Sequence, residues 1–316
     1  MKVSSLWNQK RHALILKDEV IRFVTSKKPD LRTITYKEEL TVPVGYIENG
    51  VIRKEEELIE FITPYIEKWG LKKTKIQLCL PDSQLVIRRH FVPRSTSNTE
   101  VKAKLYFELG ESLILPWDDP LLDIAFINKG EKEDEVLIFA CQQTIIQQLQ
   151  QFFEKLSVEI NAIDVSPLMN YRLLHSMAPQ TNGQEVIIAQ VDKSSICFTI
   201  FEEEKPLFFR HLYQEGEEML IQEVAAATEA KESSLVSFDL LSQELERIIH
   251  FYRYNVRAGK GQYERLLLCG DHPALPGIEA FLAEQFEFPV SRYQVDSHSD
   301  RFYDAYGLLL KKEVQV

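Results

Sequence analysis

Apolar and polar positions alternate in short blocks from the first part of the chain. Ala13-Leu14-Ile15-Leu16 and Val20-Ile21-Arg22-Phe23-Val24 are β-rich runs separated by Lys17-Asp18-Glu19, a spacing that predicts a hairpin. A third strand is expected near 33–40. From 55 to 69 the residues Leu58, Ile59, Ile62, Ile66 and Trp69 recur at three and four, the period of an amphipathic helix, which Gly70 closes. The runs 75–81 and 85–92, joined by Pro81-Asp82-Ser83, predict a second hairpin. Ser97 followed by Glu100 is a capping-box signature. It places a helix from 98 to about 112 with Val101, Leu105 and Leu109 on one face, and Pro116 bars its continuation. Strands at 121–127 and 135–141 come next. A helix at 143–156 turns Ile145, Ile146, Leu149, Phe152, Phe153 and Leu156 inward, before a strand at 158–165 and a helix near 167–177.

The loop 178–184, with Pro179, Asn182 and Gly183, is the expected boundary between two lobes. Strands then start afresh at 186–191, 195–202 and 207–212. The opening meander is thus echoed about 175 residues later, which implies a duplicated architecture. Helices at 217–228 and 238–256, a strand at 265–269, a helix at 277–286, a short strand near 288–290 and a last helix at 301–311 complete the pattern.

Length agrees with this division. A chain of 316 residues, 45% hydrophobic and 27% charged, is expected to fold as two units, because single cores stop growing near about 250–300 residues. No apolar run approaches the ~18 residues needed to cross a bilayer, and Met1-Lys2-Val3-Ser4-Ser5-Leu6-Trp7 has no signal-peptide block, so a cytosolic protein is expected. Cys79, Cys141, Cys197 and Cys269 lie far apart inside apolar runs, the habit of small buried thiols, so neither disulfides nor zinc are expected. A formal charge of -11 and a pI near 5.3 argue against nucleic acid as a partner.

Candidate chemistry is incomplete wherever it surfaces. Gly259-Lys260-Gly261 lacks the strand-loop-helix order and the Ser/Thr of a phosphate loop. Asp296-Ser297-His298-Ser299-Asp300 has no nucleophile elbow to complete it, and Cys269-Gly270-Asp271-His272 cannot close a tetrahedral metal site alone. None of the seven histidines sits four residues from another beside a glutamate. The carboxylates of Asp118-Asp119 and of 202–204 belong to loops or strand ends. A binding or scaffold protein is expected before an enzyme.

Several blocks occur in an informative order. Val42-Pro43-Val44-Gly45-Tyr46-Ile47-Glu48-Asn49-Gly50-Val51-Ile52, then Leu80-Pro81-Asp82-Ser83-Gln84-Leu85-Val86-Ile87-Arg88, Phe91-Val92-Pro93, Leu113-Ile114-Leu115-Pro116, Asp123-Ile124-Ala125-Phe126 and Leu137-Ile138-Phe139-Ala140 resemble the PilM-type pilus-assembly family. The likeness continues through Pro206-Leu207-Phe208-Phe209-Arg210, the block 244–252, Ala274-Leu275-Pro276-Gly277 and Ala305-Tyr306-Gly307-Leu308.

The resemblance implies an α/β, actin-like, FtsA-related fold of two lobes, each with a ribonuclease-H-like core and a small inserted subdomain. On that pattern the first lobe is 1–180, with core 1–38 and 143–180 and an insertion of about 39–142. The second is 181–316, with core 181–215 and 262–316 and a helical insertion of about 216–261. In such proteins two hairpin turns beginning Asp-hydrophobic-Gly, and a Gly-Gly turn in the second lobe, hold ATP. Here Ile15 and Lys17 are expected at the Asp and Gly positions of the first turn. The second turn keeps Asp192 but has Lys193 and Ser194, and the third keeps Gly270 but has Asp271, a carboxylate facing an anionic ligand. Asp192, Ser194, Gly270 and Asp271 are therefore the residues of a degenerate nucleotide cleft. No cofactor is expected, with ATP and magnesium as the alternative.

The resemblance further implies a scaffold at the inner face of the cell membrane, serving a type IV pilus, competence pilus or type II secretion platform. Its partners would be the N-terminal tail of a PilN-like bitopic protein and the cytoplasmic assembly ATPase. No residue-level motif for the tail's groove is matched. The rival readings are an active ATPase of the same fold and an FtsA-like cell-division tether. The tether needs a C-terminal amphipathic membrane helix, whereas here Leu308-Leu309-Leu310 runs almost at once to Val316, so direct membrane insertion is not expected.

Overall fold

The computed structural model describes residues 10–94, 97–178, 185–213, 230–256, 263–293 and 300–312. Two compact units divide the chain, the first comprising Met1–Arg172 with Asp304–Val316 and the second Leu173–Tyr303.

In the first unit, β1 (Arg11–Leu16), β2 (Val20–Ser26) and β3 (Ile34–Thr41) form the expected antiparallel meander. A two-residue-strand hairpin, β4 (Ile47–Glu48) and β5 (Val51–Ile52), leads to α1 (Glu55–Lys68), which buries Leu58, Ile62 and Ile66 along one stripe. Gly70, at φ +68, ends it: Leu71 donates to the carbonyl of Ile66 and Gly70 to that of Glu67, the paired closure that needs a left-handed residue. β6 (Lys75–Cys79) then runs parallel to β1, and β10 (Glu159–Asp164) parallel to β6. The sheet order is β10-β6-β1-β2-β3.

The expected hairpin of 75–81 with 85–92 does not form. β6 is an interior strand of this parallel region, with Ile76, Gln77 and Leu78 all buried, whereas β7 (Val86–Pro93) leaves for a separate three-stranded sheet ordered β7-β9-β8, with β8 (Pro120–Lys129) and β9 (Glu133–Gln142). Burial of successive residues, the polar Gln77 included, marks a strand covered on both faces rather than a hairpin arm. Within the expected insertion of about 39–142, the β4–β5 hairpin and the β7-β9-β8 sheet stand apart, whereas β6 lies inside the core sheet. α2 (Asn98–Phe107) packs Val101 and Leu105 on the three-stranded sheet, and the Ser97 hydroxyl caps it by accepting from the Glu100 N–H at 3.3 Å. It ends five residues before the expected 112. The chain reverses there, with Leu113 donating to the Glu108 carbonyl and Gly110 to that of Leu113. α3 (Gln143–Lys155) buries Ile145, Leu149, Phe152 and Phe153; each such side chain contributes about 2 kcal/mol of transfer free energy. α4 (Ser166–Met177) follows β10.

The second unit repeats the scheme. β11 (Val186–Val191), β12 (Ser195–Glu202) and β13 (Lys205–Tyr213) form an antiparallel meander, and β14 (Arg265–Cys269) and β15 (Val290–Arg292) add in parallel, giving the order β13-β12-β11-β14-β15. The two five-stranded sheets therefore share one topology, as the repeated meander implies. α5 (Ala230–Phe251) starts before the expected 238 and gives way to a π-turn at Tyr252–Val256. α6 (Leu275–Gln285) buries Leu275, Ile278 and Leu282 against the sheet. The expected helix at 217–228 and the segment Gly259-Lys260-Gly261 lie outside the described residues.

α7 (Tyr303–Leu309) was expected in the second lobe, yet from Asp304 onward it groups with the first unit. The reason is contact: a Cβ on Gly307 would stand 2.4 Å from the Met169 carbonyl oxygen, Arg172 donates to the Gly307 carbonyl at 2.7 Å, and Lys37 reaches the Tyr306 hydroxyl at 2.8 Å. Among the described residues no helix is long and apolar enough to cross a membrane.

Candidate functional site

Open α/β sheets present ligands at the carboxyl ends of their parallel strands. In both units that end carries a three-residue turn closed in the same way. Lys17 N–H donates to the Val20 carbonyl at 2.9 Å in the first, and Asp192 N–H to the Ser195 carbonyl at 2.9 Å in the second. These matching bonds make Lys17 the counterpart of Asp192. Ile15 is therefore not a turn residue, as was expected from the sequence. It sits two positions back inside β1, paired with Arg22 and 1% exposed.

The second turn is built from buried acceptors. The Asp192 carboxylate, on a residue 5% exposed, accepts from Gln190 Nε2 at 2.7 Å, the Asp271 N–H at 3.2 Å and the Tyr303 hydroxyl at 3.1 Å. The Asp271 side chain bonds the next residue of the turn, its Oδ1 accepting from the Lys193 N–H at 3.2 Å. Gly270 lies between, at φ +133, where a Cβ would stand 1.8 Å from the Val191 carbonyl oxygen. The glycine is thus required by the approach of β11 to the end of β14. Ser194 is half-buried beside them.

At the first turn two cations, Lys17 and Arg22, meet a carboxylate. Lys17 Nζ lies 3.2 Å from Asp304 Oδ2, and the Arg22 guanidinium, on a residue 1% exposed, lies 2.9 Å from the same oxygen and 2.8 Å from Glu39. Asp18 folds the loop, its carboxylate accepting from the N–H groups of Asn49 and Gly50 at 2.7 Å each. Cys79 stands at the end of β6 near this cluster. Burial of its thiol, reinforced by Asp82, Asp164 and Asp304 and opposed by Lys17, pushes its pKa well above the ordinary value.

Three of the four expected site residues, Asp192, Gly270 and Asp271, are bonded or packed against one another's turns, with Ser194 alongside. Asp271 faces a backbone N–H. Gln190, Tyr303, Arg22 and Asp304 complete the two sites and were not picked out from the sequence. A buried arginine in the apolar run Val20-Ile21-Arg22-Phe23-Val24 was the signal available for the first. His272, adjacent to the glycine, accepts from the Ala274 N–H through Nδ1 at 3.1 Å and is buried. Residues 294–299 of the His298 segment lie outside the described residues. Among the described residues no group of three or more His, Cys, Asp or Glu is placed to hold a metal ion. Lys72 pairs with Glu67, Lys75 with Glu159 and Arg89 with Glu135.

Two like-ordered mixed sheets, each opening on a hairpin whose turn sits at the carboxyl ends of the parallel strands, define an actin-like fold. A Bacteroides thetaiotaomicron protein with actin-like ATPase fold matches at a TM-score of 0.52 and 12% identity, over 99% of this chain and 100% of that one. MreB5 of Spiroplasma citri, bound to ADP, matches at 0.52 and 9%, over 95% and 94%. A PilM-PilN type IV pilus biogenesis complex matches at 0.75 and 16%, over 95% and 97%. The family model of the type IV pilus assembly protein PilM matches residues 19–232, more than half of the chain, which therefore belongs to that family. No curated protein matches it in sequence.

Proposed function

We propose that this PilM-family chain is a non-catalytic scaffold of a type IV pilus, competence pilus or type II secretion inner-membrane platform. It grips the cytoplasmic N-terminal tail of a PilN-like protein and is held at the membrane face through that partner, with the assembly ATPase a further contact. Membership of the family and the fold shared with a PilM-PilN complex support the partner.

The observation that carries the non-catalytic half is the pair of bonds that tie Asp192 and Lys193 to Asp271. A bare phosphate is held by free backbone N–H donors and is repelled by a carboxylate at hydrogen-bond distance. Here the N–H groups of Lys193 and Asp271 are taken by the protein's own carboxylates, and Gly270 is filled by the Val191 carbonyl. The residues present do not fit a nucleotide phosphate.

Titration of a fluorescent peptide carrying the PilN-like tail, with and without Mg-ATP, tests both halves. Saturable binding unchanged by Mg-ATP is expected. Failure of the tail to bind overturns the partner assignment. Saturable calorimetric binding of Mg-ATP that Asp192→Ala abolishes overturns the reading that the cleft holds no nucleotide, and phosphate release from that complex overturns the non-catalytic one.

A further inference from the structure

The carboxylate of Asp304 occupies an anion site. Two cations hold its Oδ2, Lys17 at 3.2 Å and Arg22 at 2.9 Å, on a side chain only 4% exposed. Its Oδ1 accepts from the Ala305 N–H at 2.7 Å. An arginine as buried as Arg22 is stable only when paired, and Glu39 supplies a second carboxylate at 2.8 Å. The site stands at the carboxyl ends of β1 and β6, where a sheet of this order receives ligands. The residue before it, Tyr303, donates to Asp192 in the second unit, so adjacent residues supply partners to the charged residue of each turn.

We propose that Asp304 is a built-in occupant of a latent anion site formed by Lys17 and Arg22, an autoinhibitory contact that keeps inorganic phosphates and nucleotide phosphates out of the first turn. This rests on the reading that the turns hold no nucleotide, and goes further by naming what fills the first one. The two cations and one oxygen satisfy the charge and hydrogen bonding that a phosphoryl oxygen would otherwise satisfy. Removing the carboxylate charge while keeping its shape converts the site from filled to receptive.

The test is calorimetric titration of the wild-type chain and of Asp304→Asn with sodium pyrophosphate at low ionic strength without magnesium. Wild type is expected to give no saturable heat. Asp304→Asn is expected to bind at least about tenfold more tightly than wild type, the worth of one charge-assisted bond, and to lose that gain when Lys17→Met is added. A folded Asp304→Asn that gains no affinity, or a wild type that binds equally well, overturns the proposal. If Asp304→Asn does not fold, refolding in pyrophosphate against sodium chloride of equal ionic strength decides: rescue by pyrophosphate alone supports the site, and no rescue overturns it. A separate wild-type titration with Mg-ATP keeps the two readings apart, because binding there defeats the non-nucleotide reading, whereas silence there with no gain in Asp304→Asn defeats only the latch.

Discussion

The turns after β1 and β11 have the same length, the same closing bond and the same place in the same strand order, yet opposite chemistry. Lys17 in one stands where Asp192 stands in the other, and Arg22 where Cys197 stands, since the hairpin registers pair Ile15 with Arg22 and Gln190 with Cys197. At the counterpart position the first turn has a cation, Lys17, which with Arg22 is answered by a carboxylate from α7. The second has a carboxylate, Asp192, which is answered by an amide, a backbone N–H and a phenol. Strand order and hairpin closure therefore fix where a turn sits, while the residues packed around it fix what it can hold. The neighbouring strand end differs likewise. Counting from Leu14 opposite Leu78 and Ala189 opposite Leu268, Gly270 corresponds to Leu80, a full side chain 4% exposed.

The largest test of that comparison is Gly270→Ala. The added Cβ meets the Val191 carbonyl at 1.8 Å, in a backbone conformation that disfavours side chains, so the β11–β14 junction must open. A loss of about 4 kcal/mol in denaturant unfolding is expected. Gly70→Ala also meets a positive φ, +68, but nothing lies within 4 Å of the added Cβ, and it costs about 1 kcal/mol. Equal losses would show that φ, and not the close approach, makes Gly270 necessary.

Next in size is an asymmetry between the turns. Asp192→Asn turns an amide donor toward the Asp271 N–H or gives up the bond from Gln190, leaving a buried group unsatisfied, and is expected to cost about 2 kcal/mol. Lys17→Met leaves Asp304 paired with Arg22 and removes a partly exposed cation, so it is expected to cost less than about 1 kcal/mol. Thermal unfolding of both variants measures this, and the reverse order would mean that the first turn is the more rigid. Asp18→Asn, which keeps one of two acceptors for the Asn49 and Gly50 N–H groups, falls between them at about 1 kcal/mol.

The strands and helices of both units were legible because their apolar periods survive in the sequence, as at Leu58, Ile62 and Ile66. The repeated meander was legible for the same reason. Partner choice was not. Ile76-Gln77-Leu78 looks like a hairpin arm until its two parallel neighbours, one of them about 80 residues away, are known. The site was half legible. Asp192, Gly270 and Asp271 were found through the turns that the family resemblance implies, but which of their atoms were already bonded depends on Tyr303 and Gln190. Likewise Asp304 reaches Lys17 and Arg22 across 282 positions of sequence from the latter, a distance no local pattern spans.

The smallest effect concerns two cysteines in equivalent places, Cys79 at the end of β6 and Cys269 at the end of β14. Cys269 is 2% exposed, while Cys79 is only partly buried, so exposure alone predicts that Cys79 alkylates first. Its thiol pKa, however, is raised above the unfolded 9.0, chiefly by burial and then by Asp82, Asp164 and Asp304. The native thiol therefore keeps its proton where the unfolded one ionises. Its contribution to stability is present below pH 9.0 and declines as pH rises above it. Because thiolate is the nucleophile, native Cys79 is expected to react with iodoacetamide at pH 8 nearly as slowly as Cys269. Asp304→Asn removes one of the three carboxylates and leaves Lys17 in place, so it is expected to speed Cys79 about two- to threefold and leave Cys269 unchanged, as read by mass spectrometry of the two peptides. Equal acceleration of both would trace the change to general loosening of the fold, and none at all would remove Asp304 from the electrostatics of the first turn.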